Sequence, residues 1–387
     1  MLRTPGRDSR SQPAWREEMK RIRIAGVSDV SVGYGSPQIL AFMRSMREVY
    51  GGEAVLFEPD QPERPPRPAL ARDPAGRVER VTTAYHPHHD RAGRIEYVIK
   101  VAHRLNALRP QVLVIFCTYS LPVLLKLRYR PDVVVYYSIE SIAAYGSFDI
   151  ELNRRLAGAI DLLIFPEEHR AMRDVARCSL TGIPLAILYN CATDAADADD
   201  VSHPRRRNNR ILYAGTIDRI RTLAEHFLDK RLGGVPIDLY GHLSGWKDPG
   251  VFLAGLPGGV RYRGFLEASA LARVRGQYAY SIVMWDPTGE NQLYAAPNKF
   301  FESVASGVPP IAAPHPQCRM LITRYGCGIV MDDWSFQAFY DALRRALALV
   351  GTPEYDAMVE NCRRAVAQEL NWERQFEKVR RHLPEVS

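Results

Sequence analysis

Residues 296–312 of the 387-residue chain read APNKFFESVASGVPPIA. Pro297 suits the first turn of a helix, and Gly307 suits its end, directly before a short apolar strand. A helix, a small-residue turn and a buried strand in this order are typical of the βαβ units of a parallel sheet. The segment therefore predicts an α/β fold.

The polar side chains of this segment indicate a ligand. Lys299 and Glu302 are three residues apart, so they share one face of the helix. A lysine in the first turn adds a cation where the helix dipole already disfavours one, which suggests an anionic partner. A carboxylate one turn later can accept both hydroxyls of a ribose. These observations predict a nucleotide site that includes Pro297, Asn298, Lys299 and Glu302.

The rest of the chain repeats this alternation of apolar strands and amphipathic helices. Two doubly wound, mainly parallel α/β domains are therefore expected. In the first half, strands are predicted at 22–27, 54–58, 80–84, 112–117, 133–138 and 162–165, and helices at 37–50, 94–108 and 148–158. In the second half, strands are predicted at 211–215, 237–240, 260–263, 281–285, 310–313 and 328–331, a helix at 336–349 and a long amphipathic stretch at 354–381.

Composition breaks place the domain boundaries. Residues 1–20 are polar and charged and are predicted to be a disordered extension, and residues 21–192 form the N-terminal domain. An acidic cluster followed by three arginines marks 193–209 as the linker. Residues 210–350 form the C-terminal domain, and 351–387 are expected to be terminal helices that pack back on the N-terminal domain.

Cysteine usage and hydropathy predict a cytoplasmic protein. The six cysteines include no C-x-x-C pair and are expected to be reduced core thiols. No apolar run approaches the roughly 18 residues of a membrane span. Residues 91–130 nevertheless carry eight basic residues against one acidic residue, a net charge of +7. This stretch can attract an anionic membrane surface or acceptor, although a solvated helix face is equally compatible with it.

Glycine turns after strands supply two further candidate sites. Gly33, Tyr34 and Gly35 follow the first strand and are expected either to face the acceptor or to form only a structural turn. Gly215 and Thr216 follow the first strand of the second half and are expected to lead into a helix carrying Arg219 and Arg221. These arginines can hold a diphosphate or remain solvated.

These segments together resemble the retaining glycosyltransferases of the GT-B fold, family 4 and its relatives. The donor segment of that family has the pattern P-x-K-x-x-E followed by G-x-P-x-[IV], which residues 297–311 match. The resemblance implies two Rossmann-like domains that face a central cleft, with the C-terminal helix crossing back to the first. It also implies that the acceptor binds the N-terminal domain.

The resemblance assigns roles to individual residues in the second half. It implies that Glu302 binds the ribose, that Arg219 and Arg221 bind the diphosphate, and that Tyr240 and Gly241 lie beside the nucleotide. Many family members carry another glutamate eight positions before the ribose-binding one, where this chain has Tyr294. Contacts to the donor sugar are therefore expected from the loop that contains Glu290 and Asn291.

The chemistry expected of such an enzyme is metal-independent, with positioned cations stabilising the leaving diphosphate. Arg219 and Lys299 are the candidates for that role, and no cofactor is expected. Glu140 follows the fifth strand and is predicted either to position or deprotonate the acceptor hydroxyl or to cap the next helix. His86 and His88 belong to a His-rich loop for which acceptor contacts are favoured over a metal site.

Three functions agree with this pattern. The favoured one is transfer of a sugar from a nucleotide-sugar to a glycan, lipid-linked or small-molecule acceptor. The alternatives are a sugar-nucleotide epimerase of the same fold and a binding scaffold that has lost donor contacts. A nucleic-acid partner is not expected, because the basic stretch lacks interleaved stacking aromatics.

Overall fold

The computed structural model describes residues 22–65, 73–84, 87–191 and 207–386. The predicted extension 1–20, His86 and most of the predicted linker 193–209 lie outside these residues.

The first sheet has seven strands in the order β3-β2-β1-β4-β5-β6-β7. Its pairs β1–β2, β1–β4, β2–β3 and β4–β5 are parallel, with Ile24 opposite Val112. The strands β4 and β5 are apolar at every position and fully buried, as expected of central strands with both faces covered. The strands are β1 Ile22–Val27, β2 Glu53–Pro59, β3 Arg77–Val81, β4 Val112–Phe116, β5 Val133–Tyr137, β6 Leu162–Phe165 and β7 Leu185–Ile187.

Two details of this sheet differ from the prediction. The strand predicted at 80–84 is shifted to Arg77–Val81, where it pairs with β2 at the sheet edge and where three charged residues among five hide the apolar pattern. The three-residue strand β7 was not predicted, since it is too short to show a period.

The helices of this part are α1 Gln38–Tyr50, α2 Arg91–Leu108, α3 Ser147–Leu156 and α4 Glu168–Cys178, with 3₁₀ segments at Thr118–Lys126, Ile142–Tyr145 and Ala157–Ala159.

The second sheet has six parallel strands in the order β12-β10-β8-β13-β14-β15. All six strands predicted for the second half are present. They are β8 Asn208–Ala214, β10 Ile237–Tyr240, β12 Val260–Tyr262, β13 Tyr278–Val283, β14 Pro310–Ala312 and β15 Ile329–Val330. The helices are α5 Pro249–Ala254, α6 Ala268–Arg275, α7 Glu290–Leu293, α8 Asn298–Ala305, α9 Pro316–Tyr325, α10 Phe336–Leu349, α11 Pro353–Gln368 and α12 Trp372–Arg380, with 3₁₀ segments at Ala224–Leu228 and Lys230–Gly234.

The helix expected directly after Gly215 is absent, and that prediction was wrong. A two-residue strand, β9 Ile217–Asp218, pairs there with β11 Leu243–Ser244. The Asp218 carboxylate then accepts the backbone N–H groups of Ile220 and Arg221 and closes a turn. Aspartate favours such turns because its side chain competes with helical hydrogen bonds.

The C-terminal amphipathic stretch forms two helices, α11 and α12. Asn371 begins α12, where its side-chain oxygen accepts the N–H of Arg374. Trp372 and Phe376 lie one helical turn apart and stack at 6.4 Å.

The chain forms two compact units. The first contains the described residues up to Tyr137, together with Arg155–Leu163 and the residues from Pro384 onward. The second contains Ser138–Arg154 and the described residues of Ile164–Leu383. Glu140, helix α4 and the whole six-stranded sheet therefore belong to the same unit.

Candidate functional site

Two glycine turns meet at the carboxyl edge of the six-stranded sheet. Gly215 follows β8, Gly241 follows the neighbouring strand β10, and the N–H of Gly215 donates to the carbonyl of Tyr240 at 2.9 Å. A Cβ atom on Gly241 would lie 1.7 Å from the Gly215 carbonyl oxygen, and Gly241 has φ +148°. The close approach of the two backbones therefore requires glycine at position 241.

Lys299 faces this glycine turn from helix α8. Its side chain is buried, and its Nζ lies 4.3 Å from the ring centre of Tyr213 and 4.0 Å from that of Trp285. The ammonium donates to the Tyr213 hydroxyl at 3.3 Å. A Cβ atom built on Gly215 would lie 3.4 Å from Nζ, so the charged end of the lysine lies beside the backbone of the turn.

The Lys299 ammonium lacks a compensating anion. Among the described residues no carboxylate lies within 4.0 Å of Nζ, and only one of its three N–H groups has a hydrogen-bond partner. Burial lowers the pKa of Lys299 to about 7, and Glu302 only partly offsets this effect. A buried cation without a partner is unfavourable, although the two aromatic rings recover part of the energy. This arrangement suits a site that an anion completes.

The start of helix α8 offers an additional polar atom. Pro297 occupies the N-cap position, as the sequence predicts. The side-chain oxygen of Asn298 is buried and accepts no hydrogen bond from the described residues. A ligand that carries a donor can satisfy this oxygen.

Glu302 lies on the same helix and forms an ion pair with Arg275. Arg275 ends helix α6 and is buried, whereas a third of the Glu302 side chain is exposed. Sequence reasoning missed Arg275, because an arginine at the end of a helix carries no local signal of its partner.

A polar network holds Tyr240 in place. Its hydroxyl lies 3.3 Å from that of Tyr278, which donates to the buried Asp238 at 2.9 Å. Asp238 also accepts from Arg210 at 2.6 Å. Burial is the main reason that the pKa of Tyr278 is raised, so this hydroxyl keeps its proton at neutral pH.

The two arginines expected near the phosphates lie on the surface turn after β9. Thr216 is exposed, and the Arg219 Nε pairs with Glu225 at 2.7 Å, where both side chains are more than half exposed. The Arg221 side chain is exposed, and its carbonyl accepts the N–H of Asp286 at 2.9 Å. The structure thus gathers Gly215, Gly241 and Lys299, while the Arg219 guanidinium contacts Glu225.

Segment 286–294, the loop expected to contact the donor sugar, is attached to helix α4. The Glu290 carboxylate pairs with Arg173 and Arg177, and these hydrogen bonds lower its pKa. Tyr294, which stands where the family commonly has a glutamate, stacks on His169 at 5.6 Å and 11°. Tyr294 therefore packs against α4.

Glu140 and Asn291, which were predicted separately, contact each other. The Asn291 amide donates to the Glu140 carboxylate at 2.6 Å, and its oxygen accepts the N–H of Ser141 at 2.9 Å. The buried Arg170, another residue that sequence reasoning missed, donates to the Asn291 and Ile139 carbonyls. Both predicted residues thus lie where segment 286–294 meets the loop after β5.

His315 holds the two ends of segment 286–294. Its Nε2 accepts the N–H of Trp285 at 3.2 Å, so Nδ1 carries the proton and donates to the Leu293 carbonyl at 3.2 Å. Burial lowers the pKa of His315 to about 4, and the nearby Lys299 charge adds to this effect. The imidazole is therefore neutral at physiological pH.

The described residues that were predicted to face the acceptor lie in the first unit. The Tyr34 hydroxyl, between Gly33 and Gly35, donates to the Pro65 carbonyl at 2.6 Å. His88 is buried, with Nε2 3.0 Å from the Asp29 carbonyl, and burial lowers its pKa. Within the described residues no group of three or more His, Cys, Asp or Glu side chains is arranged to hold a metal ion.

Several solved structures share this architecture, and one of them is a glycosyltransferase. Sucrose-phosphate synthase from Thermosynechococcus elongatus matches with a TM-score of 0.64 at 15% identity, over 93% of this chain and 98% of that one. Anabaena HepE in complex with UDP matches with a TM-score of 0.67 at 14% identity, over 93% and 99%. WaaG, a glycosyltransferase of lipopolysaccharide biosynthesis, matches with a TM-score of 0.65 at 13% identity, over 92% and 98%.

These likenesses establish the fold: the chain has the GT-B fold, as the sequence predicts. No protein-family model and no curated protein sequence matches the chain.

Proposed function

We propose that this protein is a glycosyltransferase that takes its sugar from a nucleoside-diphosphate sugar. The observation that carries the proposal is the buried, uncompensated ammonium of Lys299 beside the Gly215 turn. A diphosphate supplies the missing negative charge and accepts the free N–H groups. The GT-B fold supports this reading, since structural neighbours include HepE in complex with UDP and with UDP-glucose.

In this proposal the nucleotide lies along the carboxyl edge of the six-stranded sheet. The diphosphate contacts Gly215, Thr216 and Lys299, with Arg219 and Arg221 turning toward it from the adjacent surface turn. The nucleoside lies beside Tyr240 and Gly241, and Glu302 accepts the ribose hydroxyls. Ligands of parallel α/β sheets bind at this edge because strands end there and loops begin.

The proposed reaction breaks the bond between the anomeric carbon of the sugar and the phosphate oxygen. The acceptor hydroxyl oxygen forms the new bond to that carbon, and the nucleoside diphosphate leaves with the bonding electrons. Lys299 and Arg219 stabilise the charge of the leaving group, so the proposed step needs neither a metal nor a cofactor. Glu140, oriented by Asn291, positions or accepts the proton of the acceptor hydroxyl. We propose retention of the anomeric configuration.

We propose that the acceptor is a glycan, a lipid-linked molecule or a small molecule, and that Gly33–Gly35 and His88 of the first unit contact it together with His86. Within the described residues no helix is long and apolar enough to cross a membrane.

The proposed membrane-facing surface combines helix α2 with the 3₁₀ segment Thr118–Lys126. Asn106 of α2 donates to the Lys126 carbonyl at 2.9 Å, so the two elements lie side by side. Ile95, Ile99 and Leu125 on these elements are each more than half exposed. Exposed aliphatic side chains within a stretch of net charge +7 suit an anionic lipid surface.

The donor site is tested by thermal shift and calorimetry with UDP, GDP, ADP and TDP, followed by mass spectrometry of hydrolysis across the matching nucleotide-sugars. We expect one nucleotide to bind, and Glu302→Ala and Arg219→Ala to remove most transfer activity while the protein stays folded. Lys247→Ala, an exposed lysine of the same unit, is the matched control.

Two results would redirect the proposal. No response to any nucleotide would favour a scaffold without donor binding. Conversion of a nucleotide-sugar to its epimer without an acceptor would favour an epimerase.

The membrane surface is tested by co-sedimentation with phosphatidylcholine vesicles that contain or lack phosphatidylglycerol. We expect binding to anionic vesicles at low salt that weakens at high salt, because surface charges are screened. Ile95→Asp combined with Ile99→Asp should abolish it, whereas Val251→Asp, at an exposed aliphatic residue of the second unit, should not. Absence of binding at low salt would remove the membrane from the proposal.

A further inference from the structure

We infer that Arg275 is a positioning residue that keeps Glu302 available for the 2′-hydroxyl of the nucleotide ribose and keeps it away from Lys299. This inference rests on the proposed function, because Glu302 can bind a ribose only if the protein binds a nucleotide. Arg275 itself contacts Glu302.

Lys299 and Glu302 lie on one helix but do not form an ion pair with each other. Lys299 and Glu302 are three residues apart on α8, a spacing at which opposite charges commonly pair. No ion pair joins them within 4.0 Å, since the carboxylate Oε2 is held by Nη2 of Arg275 instead. Lys299 points to the glycine turn and to Tyr213.

The pair leaves half of the Glu302 carboxylate open. Among the described residues, Oε1 accepts no hydrogen bond, while a third of the side chain is exposed to solvent. Arg275 is only 5% exposed and extends from the end of a different helix, so its guanidinium is confined by packing. A carboxylate with one oxygen held by a rigid cation presents its other oxygen in one direction.

Such an arrangement suits the recognition of a hydroxyl pair. An accepting oxygen in a set direction strengthens a hydrogen bond to a ribose hydroxyl, because the carboxylate loses little rotational freedom on binding. If Glu302 were free to rotate toward Lys299, the two charges would satisfy each other. The site would then lose both its hydroxyl acceptor and the uncompensated cation.

The experiment compares binding of ribonucleotides with that of their 2′-deoxy forms by calorimetry. UDP, GDP and ADP are each paired with the 2′-deoxy analogue, and the protein is used as the full chain. We expect the unchanged protein to prefer the ribonucleotide by about 10- to 100-fold, the range of a hydrogen bond to a charged group. Arg275→Met should bring this ratio close to one, and Arg275→Lys should restore part of it.

Two further variants separate positioning from folding. Arg273→Met removes an exposed arginine from the same helix and should leave the ratio unchanged. Arg275→Met combined with Glu302→Gln replaces the ion pair by neutral groups, so it should stay folded and also lack the preference.

The possible outcomes are distinguishable. If Arg275→Met weakens both forms equally and keeps their ratio, Arg275 is merely structural and the inference is overturned. The inference also fails if the unchanged protein binds both forms equally. If no nucleoside diphosphate binds the unchanged protein, the proposed function itself fails, and the inference with it.

Discussion

Each sheet has a glycine turn after its first strand, and the two turns differ in structure. In the first unit, Gly33 and Gly35 follow β1, and the space where a Cβ atom on Gly35 would lie is empty to 4 Å. In the second unit, the turn at Gly215 contacts the backbone of Gly241. Position 241 therefore has no room for a side chain. Gly35 thus has open space around it, whereas the second turn is built by close contact between two backbones.

The charges beside the two turns are also opposite. The N–H of Val32, next to Gly33, donates to the buried carboxylate of Glu58 at 2.6 Å, and Glu58 pairs with Arg80. The turn at Gly215 faces the ammonium of Lys299, which has no carboxylate within 4.0 Å among the described residues. An N–H group already bonded to an internal carboxylate is not available to a phosphate. The comparison therefore favours the second turn as the anion site and leaves an acceptor-facing or structural role for the first.

The largest expected effect is the loss of stability in Gly241→Ala. The added methyl would overlap the Gly215 carbonyl oxygen, and alanine disfavours the φ of +148°. We expect a loss of more than about 4 kcal/mol in the free energy of unfolding, or failure to fold. Chemical denaturation followed by circular dichroism measures it, and a loss below about 1 kcal/mol would show that the turn can open.

The next effect is that of Lys299→Met on nucleotide binding. Removing the ammonium should weaken binding of the nucleotide by about 10- to 100-fold, because it removes a buried charge-assisted contact. Methionine keeps the length of the side chain without its charge. Calorimetry measures the change, and unchanged affinity would remove Lys299 from the phosphate site.

The same variant should be more stable than the unchanged protein at about pH 6. The folded-state pKa of Lys299 is about 7, below its usual value of 10.5, so the unfolded chain binds more protons between these values. The stability of the unchanged protein consequently rises with pH through this window, and the advantage of Lys299→Met shrinks. Thermal melts across the window measure the difference, and equal melting temperatures at every pH would contradict the buried charge.

A smaller effect is the pH dependence of binding. Once the pH exceeds about 7, Lys299 loses its proton in the free protein, so affinity should fall, approaching about tenfold per pH unit. Lys299→Arg keeps its charge over this range and should give a flatter profile. Titration calorimetry at several pH values measures both, and identical profiles would assign the pH dependence to another group.

The smallest effect is expected for Gly35→Ala in the first turn. The new methyl meets no atom, so only the backbone strain at φ +135° remains, worth about 1–3 kcal/mol. Nucleotide affinity should stay unchanged, since the phosphate site lies in the other turn. Denaturation and calorimetry on this variant can be compared directly with those on Gly241→Ala. A weakened affinity would show that the first turn also contributes to nucleotide binding.

Local patterns were sufficient to predict the architecture, because the period of apolar residues follows directly from strand and helix geometry. They failed where charged residues masked the period, as at β3, and where a turn replaced a helix, as after Gly215. At such positions the secondary structure depends on which strand pairs with the segment or which carboxylate accepts its N–H groups. A local sequence pattern shows neither.

The sequence by itself determined the α/β alternation, the GT-B expectation and the helix that carries Lys299 and Glu302. Only the tertiary structure decided how those two charges are used. Arg275 lies 27 positions from Glu302 along the chain, and Tyr213 lies 86 from Lys299. Packing around α8 gives Glu302 a cationic partner, whereas Lys299 contacts a hydroxyl and two aromatic rings but no carboxylate within 4.0 Å among the described residues. The physical reason is that a side chain's net charge follows from its type, whereas its compensation depends on which distant groups the fold brings within a few ångströms.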